Sequence, residues 1–211
     1  MPEKDSAAPE PGLVELYWLP LGAGDTPRLV HWSGRLYEAI AARGGHRTAQ
    51  ALYHSALQVR LGADRFTIEM APVWATPQPG RGVVGEGAVG SPLLGRWRLF
   101  RYEVRAWRDG IIPDLDQAVD SPQRMSSEAV VARRLLALVR EFPTVTWGRD
   151  ELGAGEMWNS NSLTAWLLAR SGHALEGVHP PLHGRAPGWQ AGLVVAGREW
   201  TLVRSQPRRA P

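Results

Sequence analysis

Three side chains in this sequence are of the types that carry out acyl transfer: a hydroxyl at Ser160, an imidazole at His54 and a carboxylate at Glu69. The run Asn159-Ser160-Asn161-Ser162 leads into Leu163, Trp166 and Leu167 at helical spacing, and Gly172 is a natural stop. Ser160 therefore belongs in or beside the first turn of a helix. Unpaired backbone N–H groups and the positive end of the helix dipole meet there, so an oxygen that becomes anionic during a reaction is stabilised at that place. Asn159, Asn161 and Trp158 flank the serine as candidates for holding an oxyanion or a substrate. Taken alone, Ser160 reads as a helix cap, the commoner use of serine at such a position.

The imidazole and the carboxylate share a second stretch. Tyr53–Leu61 and Arg65–Ala71 alternate apolar and polar residues across Gly62-Ala63-Asp64, the pattern of a hairpin. Burying Leu57 and Val59 together with Phe66 and Ile68 pairs 57 with 68 and 59 with 66, and centres the turn on Gly62-Ala63. The same register sends His54, Ala56 and Gln58 to the other face with Thr67, Glu69 and Ala71. Glu69 then stands across from Ala56 and diagonal to His54, within reach of two long side chains. Singly, His54 is a strand-edge histidine and Glu69 a solvated carboxylate.

The elements that must position these groups follow in order. Residues 1–11 are rich in proline, alanine and acid, with nothing to bury, and are expected to be a disordered tail. Leu13–Leu19 reads as a first strand, and Trp32–Arg43 as a short amphipathic helix. The stretch 72–95 is rich in glycine and proline and is expected to be a long irregular loop. It holds a Gly-x-Gly-x-x-Gly at Gly85, Gly87 and Gly90, but Pro92 follows where a dinucleotide site needs a helix. Arg96–Trp107 reads as a strand whose arginines form a solvated face. Ser126–Arg140 is the clearest helix, with a serine cap, an early glutamate and apolar residues at 131, 135, 138 and 139. A last short strand is expected near Gly192–Val195 or Glu199–Val203, and residues 205–211 as a flexible tail. The span 12–204 then forms one domain.

Composition narrows the partners. The chain has 211 residues, 44% of them hydrophobic, enough for one sizeable core. Net charge is only +3, the one lysine is Lys4, and no block of like charge exceeds Arg208-Arg209, so nucleic acid is not an expected partner. The arginine, alanine and glycine bias suits a high-GC bacterial genome. There is no cysteine, which removes disulfides, thiolate metal sites and a thiol nucleophile. His179 and His183 have metal-helix spacing, yet Pro180-Pro181 lies between them, and neither metal nor cofactor is expected. No stretch approaches the roughly 18 apolar residues of a membrane span, and no leader-like apolar run opens the chain, so a cytoplasmic protein without integral membrane association is expected.

A histidine on a strand, followed much later by a nucleophile at the head of a helix, resembles the circularly permuted papain-like proteins. The likeness is to the PPPDE peptidases and the lecithin–retinol acyltransferase group. Tyr53-His54-Ser55-Ala56-Leu57-Gln58-Val59 is similar to their histidine strand, and Asn159-Ser160-Asn161-Ser162-Leu163 to their Asn-Cys-x-x-Phe motif, with Ser160 in the cysteine position. Glu69 falls on the strand after the histidine, where the acyltransferases carry a third polar residue. The resemblance implies an α+β fold, permuted papain-like, with an antiparallel sheet packed against a nucleophile-bearing helix. It also implies a serine hydrolase or acyltransferase using Ser160, His54 and Glu69 on a small-molecule ester, thioester or amide, or on a protein or peptide substrate. Serine has no readily formed anion, so such a site depends on its base and on an ionised carboxylate behind it. The alternative is a papain-like scaffold without catalysis, serving a binding or regulatory role.

Overall fold

The computed structural model describes residues 11–21, 50–73, 80–112 and 114–205. Its centre is an antiparallel sheet. Strands β1 (Gly12–Pro20), β2 (Ala51–Leu61), β3 (Asp64–Pro72), β4 (Val83–Ala88), β5 (Arg101–Arg108) and β6 (Val119–Ser126) lie in the order β4-β5-β3-β2-β1-β6, and a two-residue β7 (Gly184–Arg185) adds to the start of β2 in parallel. Among the described residues three α-helices accompany the sheet: α1 (Ala129–Leu138), α2 (Ser160–Ser171) and α3 (Trp189–Ser205). The architecture is mixed α+β.

Alternation divides each strand between two faces. Val14, Leu16 and Trp18 of β1, Tyr53, Leu57 and Val59 of β2, Ile68 and Met70 of β3, and Tyr102 and Val104 of β5 turn to one face. There they join Ala132 and Leu135 of α1, Leu163, Trp166 and Leu167 of α2, and Trp189 and Val195 of α3 in one core. The opposite face holds a smaller apolar group, Tyr17, Leu19, Ala56 and Ile112. Beside it the same face carries polar side chains that are also buried, among them Gln58, Thr67, Glu69, Glu103 and Arg105. Both faces are therefore buried over the sheet centre.

The hairpin has the register that its apolar pattern demands: Leu57 pairs with Ile68 and Val59 with Phe66, around Gly62 at φ 61° and Ala63. The ladder ends at Leu57–Ile68. Beyond that pair β2 continues against β1, with β7 beside its first two residues, and β3 continues against β5.

Four expectations are corrected. Within 72–95, residues 83–88 form the edge strand β4, and Gly85 and Gly87 of the glycine motif lie in that strand, paired with β5. At Gly87 an added Cβ would fall 2.4 Å from the Tyr102 ring, so the missing side chain admits an aromatic rather than a phosphate. The strand expected from Arg96 begins only at Arg101, because Leu94–Arg96 and Arg98–Phe100 wind into two short 3-10 turns. The segment near Gly192–Val203 is helical, not extended, as part of α3. The helix expected over 126–140 is shorter, with Glu128 rather than a serine at its N-cap and a 3-10 turn at Val139–Glu141. Strand β6 had no signal in Val-Asp-Ser-Pro-Gln-Arg-Met-Ser, whose polar residues and proline argue against a ladder position. The helix expected at Trp32–Arg43 and the tails, apart from Pro11 and Ser205, lie outside the described residues.

Candidate functional site

The helix start forms as its sequence requires. Asn159 is the N-cap of α2, its carboxamide oxygen accepting from the N–H groups of Asn161 (2.9 Å) and Ser162 (3.3 Å), while the Ser162 hydroxyl accepts from the Asn159 N–H (3.1 Å). This reciprocal pair is a capping box. Gly172 closes the helix in the left-handed conformation at φ 94°.

The two asparagines then tie α2 to its neighbours. Asn161 Nδ2 donates to the carbonyls of Tyr53 (3.0 Å) and Pro187 (2.9 Å), and its Oδ1 accepts from the Ser55 hydroxyl (2.8 Å). Asn159 Nδ2 donates to the Pro187 carbonyl as well, and the Ser162 hydroxyl donates to Gly188 O, both at 2.8 Å. Gly188 N–H donates to Glu156 Oε2 at 2.8 Å. One buried knot thus joins β2, the head of α2 and the turn into α3. Gly188 fits only without a side chain, since its φ is 88° and a Cβ would stand 2.4 Å from Asn159 Oδ1. Trp158 is 1% exposed, stacks on Phe142 at 5.0 Å and donates its indole N–H to Pro143 O, which makes it an anchor of the core rather than a wall for substrate.

This arrangement limits an oxyanion hole. Asn159 already occupies the N–H groups of Asn161 and Ser162, and its own carbonyl receives Leu163 N–H at 3.1 Å. The N–H left for a developing charge in that first turn is that of Ser160 itself. Ser160 is buried, 5% exposed, and among the described residues no hydrogen bond involves its hydroxyl.

The structure does not bring the three expected catalytic groups together. Ser55 faces α2, as its bond to Asn161 requires, so the neighbouring His54 projects to the opposite face with Leu19, its partner on β1. Glu69 shares that second face, but the β2–β3 ladder stops before it reaches either residue. Directly across from Glu69 on β5 is Arg105, whose Nη1 donates to Glu69 Oε1 at 2.8 Å. The guanidinium also donates through Nε to Glu103 Oε2 (2.9 Å), and Arg81 Nη2 bonds Glu103 Oε1 (2.7 Å). The orienting carboxylate is held by arginine, not by imidazole.

Electrostatics follow the same partition. Burial alone lowers the His54 pKa to about 4, so the ring is neutral near pH 7, and no carboxylate opposes that shift. Burial pushes Glu69 up and outweighs the pull of Arg105. Glu103 is also penalised by burial, but its hydrogen bonds from Arg81 and Arg105 win and hold it below the usual carboxylate range. Arg105 is wholly buried, contrary to the solvated face expected of the arginines in this stretch. The signal for it was the Glu103–Arg105 spacing of two, which puts both on the face that Glu69 occupies.

Ser55 and Gly188 are the polar-knot members that sequence reading overlooked. Their signals were a serine at the apolar parity of β2, and a Pro-Gly step entering a helix. A cleft of about 250 Å³, lined by Phe66, Val83, Leu136, Val139 and Arg140, includes none of the candidate residues. Among the described residues no group of three or more His, Asp and Glu side chains is placed to hold a metal ion. None of the described helices is long and apolar enough to cross a membrane. No family model matches the chain, and comparison with curated proteins and with solved structures found no match.

Proposed function

We propose that this chain is a papain-like scaffold that works by binding, with the nucleophile position of its helix turned to a structural use. The observation that carries the reading is the 2.8 Å bond from Ser55 to Asn161, which fixes one face of β2 against α2 and leaves His54 on the other. Saturation of Asn159 and Asn161 by protein groups supports it further, because neither carboxamide is free to meet a substrate. A buried polar knot with every carboxamide group bonded gives a single, rigid junction of helix, strand and turn. Such a junction is what a binding scaffold requires.

A second reading keeps the hydrolase or acyltransferase. It rests on the unengaged Ser160 hydroxyl beside its own N–H at the head of α2. It needs a base on that face, and His54 reaches it only if β2 turns over. A fluorophosphonate probe followed by intact mass separates the two. The scaffold reading expects no adduct on folded wild type. A stoichiometric adduct that is lost in both Ser160→Ala and His54→Ala would overturn it.

A further inference from the structure

The connection from Val89 to Phe100 joins β4 to β5 at the outer edge of the sheet and has no place in the site just described. Within it Leu93, Trp97 and Leu99 are 68%, 59% and 64% exposed. Arg96 and Arg98 alternate with them, both exposed, and among the described residues neither has a carboxylate partner. Arg101, at the base, is different, being paired with Glu86. There is no acidic residue from 89 to 100. Trp97 stands apart from Trp18, Trp107, Trp147, Trp158, Trp166 and Trp189, which are buried or half-buried.

The backbone of this tip bonds largely to itself. Leu94 N–H donates to Ser91 O, Gly95 N–H to Pro92 O, Trp97 N–H to Leu94 O and Phe100 N–H to Trp97 O, at 2.9–3.3 Å. Its base is fixed by Val89 N–H to Phe100 O and by Gly90 N–H to Trp147 O. Peptide groups that are already bonded lose little on leaving water, which removes the main obstacle to partitioning a loop into an apolar phase. Three exposed apolar side chains, one of them a tryptophan, interleaved with exposed cations form the pattern that sits at the boundary of headgroups and acyl chains.

We propose that the 91–99 tip is a peripheral membrane contact, in which Leu93, Trp97 and Leu99 enter the interface of an anionic phospholipid surface while Arg96 and Arg98 meet lipid phosphates. Charge complementarity selects this occupant: two exposed arginines in a stretch without an acidic residue, interleaved with apolar side chains, match anionic headgroups above acyl chains. The contact is independent of what Ser160 does.

Cosedimentation of the full chain with vesicles tests it, comparing phosphatidylglycerol mixed with phosphatidylcholine against phosphatidylcholine alone. Wild type is expected to bind the anionic vesicles and to be released by high salt. Arg96→Glu/Arg98→Glu and Trp97→Ser/Leu99→Ser should each weaken binding about tenfold or more. Leu182→Ser, at an 80% exposed leucine elsewhere, should leave it unchanged. All altered side chains are exposed, and circular dichroism verifies that each variant is folded. Absence of wild-type binding to anionic vesicles, equal binding to neutral ones, or full retention by either double variant would overturn the proposal. Concentration-dependent self-association through the tip, without vesicle binding, would overturn it too.

Discussion

Asn161 uses both ends of its carboxamide inside the protein, and the consequence is measurable. Truncating it strands the Ser55 hydroxyl and withdraws a donor from the Tyr53 and Pro187 carbonyls, all buried. Asn161→Ala should destabilise the fold by about 2–4 kcal/mol, read from the urea midpoint at unchanged slope. His54 makes a different prediction. Its folded pKa of about 4 lies below the roughly 6.5 of an unfolded histidine, so the unfolded chain binds the extra proton between those values. The corresponding stability is fully present above pH 6.5 and is lost as pH falls toward 4, by about 2–3 kcal/mol. His173, also lowered by burial, adds in the same direction, so the diagnostic quantity is the part of the slope that His54→Gln removes. Denaturant midpoints at pH 7 and pH 4.5 for wild type and variant supply it. An unchanged slope in His54→Gln would show a solvated ring.

At the scale of elements, the hairpin and α2 were legible because each has one consistent period. Leu57, Val59, Phe66 and Ile68 admit one register, and Asn159 to Gly172 carries both a cap and a stop. What the alternation did not reveal is that the strands part after Leu57–Ile68, since a ladder's end depends on neighbours elsewhere in the chain. Parity marks the face: Tyr53, Leu57 and Val59 share it with Ser55, and a helix with an apolar side must cover that set. His54 has the other parity. Leu19, Ala56 and Ile112 make the second face apolar as well, which blurred the distinction. The strand expected near Gly192–Val195 is helical in α3, because Gly192-Leu193-Val194-Val195 is a short apolar run that suits either period. Its packing explains the glycine. A Cβ on Gly192 would lie 2.4 Å from the Ser162 carbonyl of α2, so the two helices approach backbone to backbone at that point. Gly192→Ala should gain helix propensity yet lose about 1–3 kcal/mol through overpacking, a net fall in thermal midpoint. A rise would mean that α3 stands farther from α2.

For the molecule as a whole, two buried faces of one sheet divide the polar groups between them. One face meets the helices and holds the Asn-Ser knot, and the other holds His54 with the Glu69–Arg105–Glu103 ion network. The chain's lack of cysteine gives this division a direct test, because a thiol placed at position 160 is the only one present. A thiol beside imidazole is alkylated at acid pH as a thiolate, whereas an isolated thiol titrates near 8.5 and a buried one higher. In Ser160→Cys, the rate of iodoacetamide alkylation against pH should rise in a single step, set by burial against the positive end of α2, and His54→Ala should leave the curve in place. A reactive limb between about pH 4 and 6 that disappears with His54→Ala would put the imidazole beside position 160 and contradict the account.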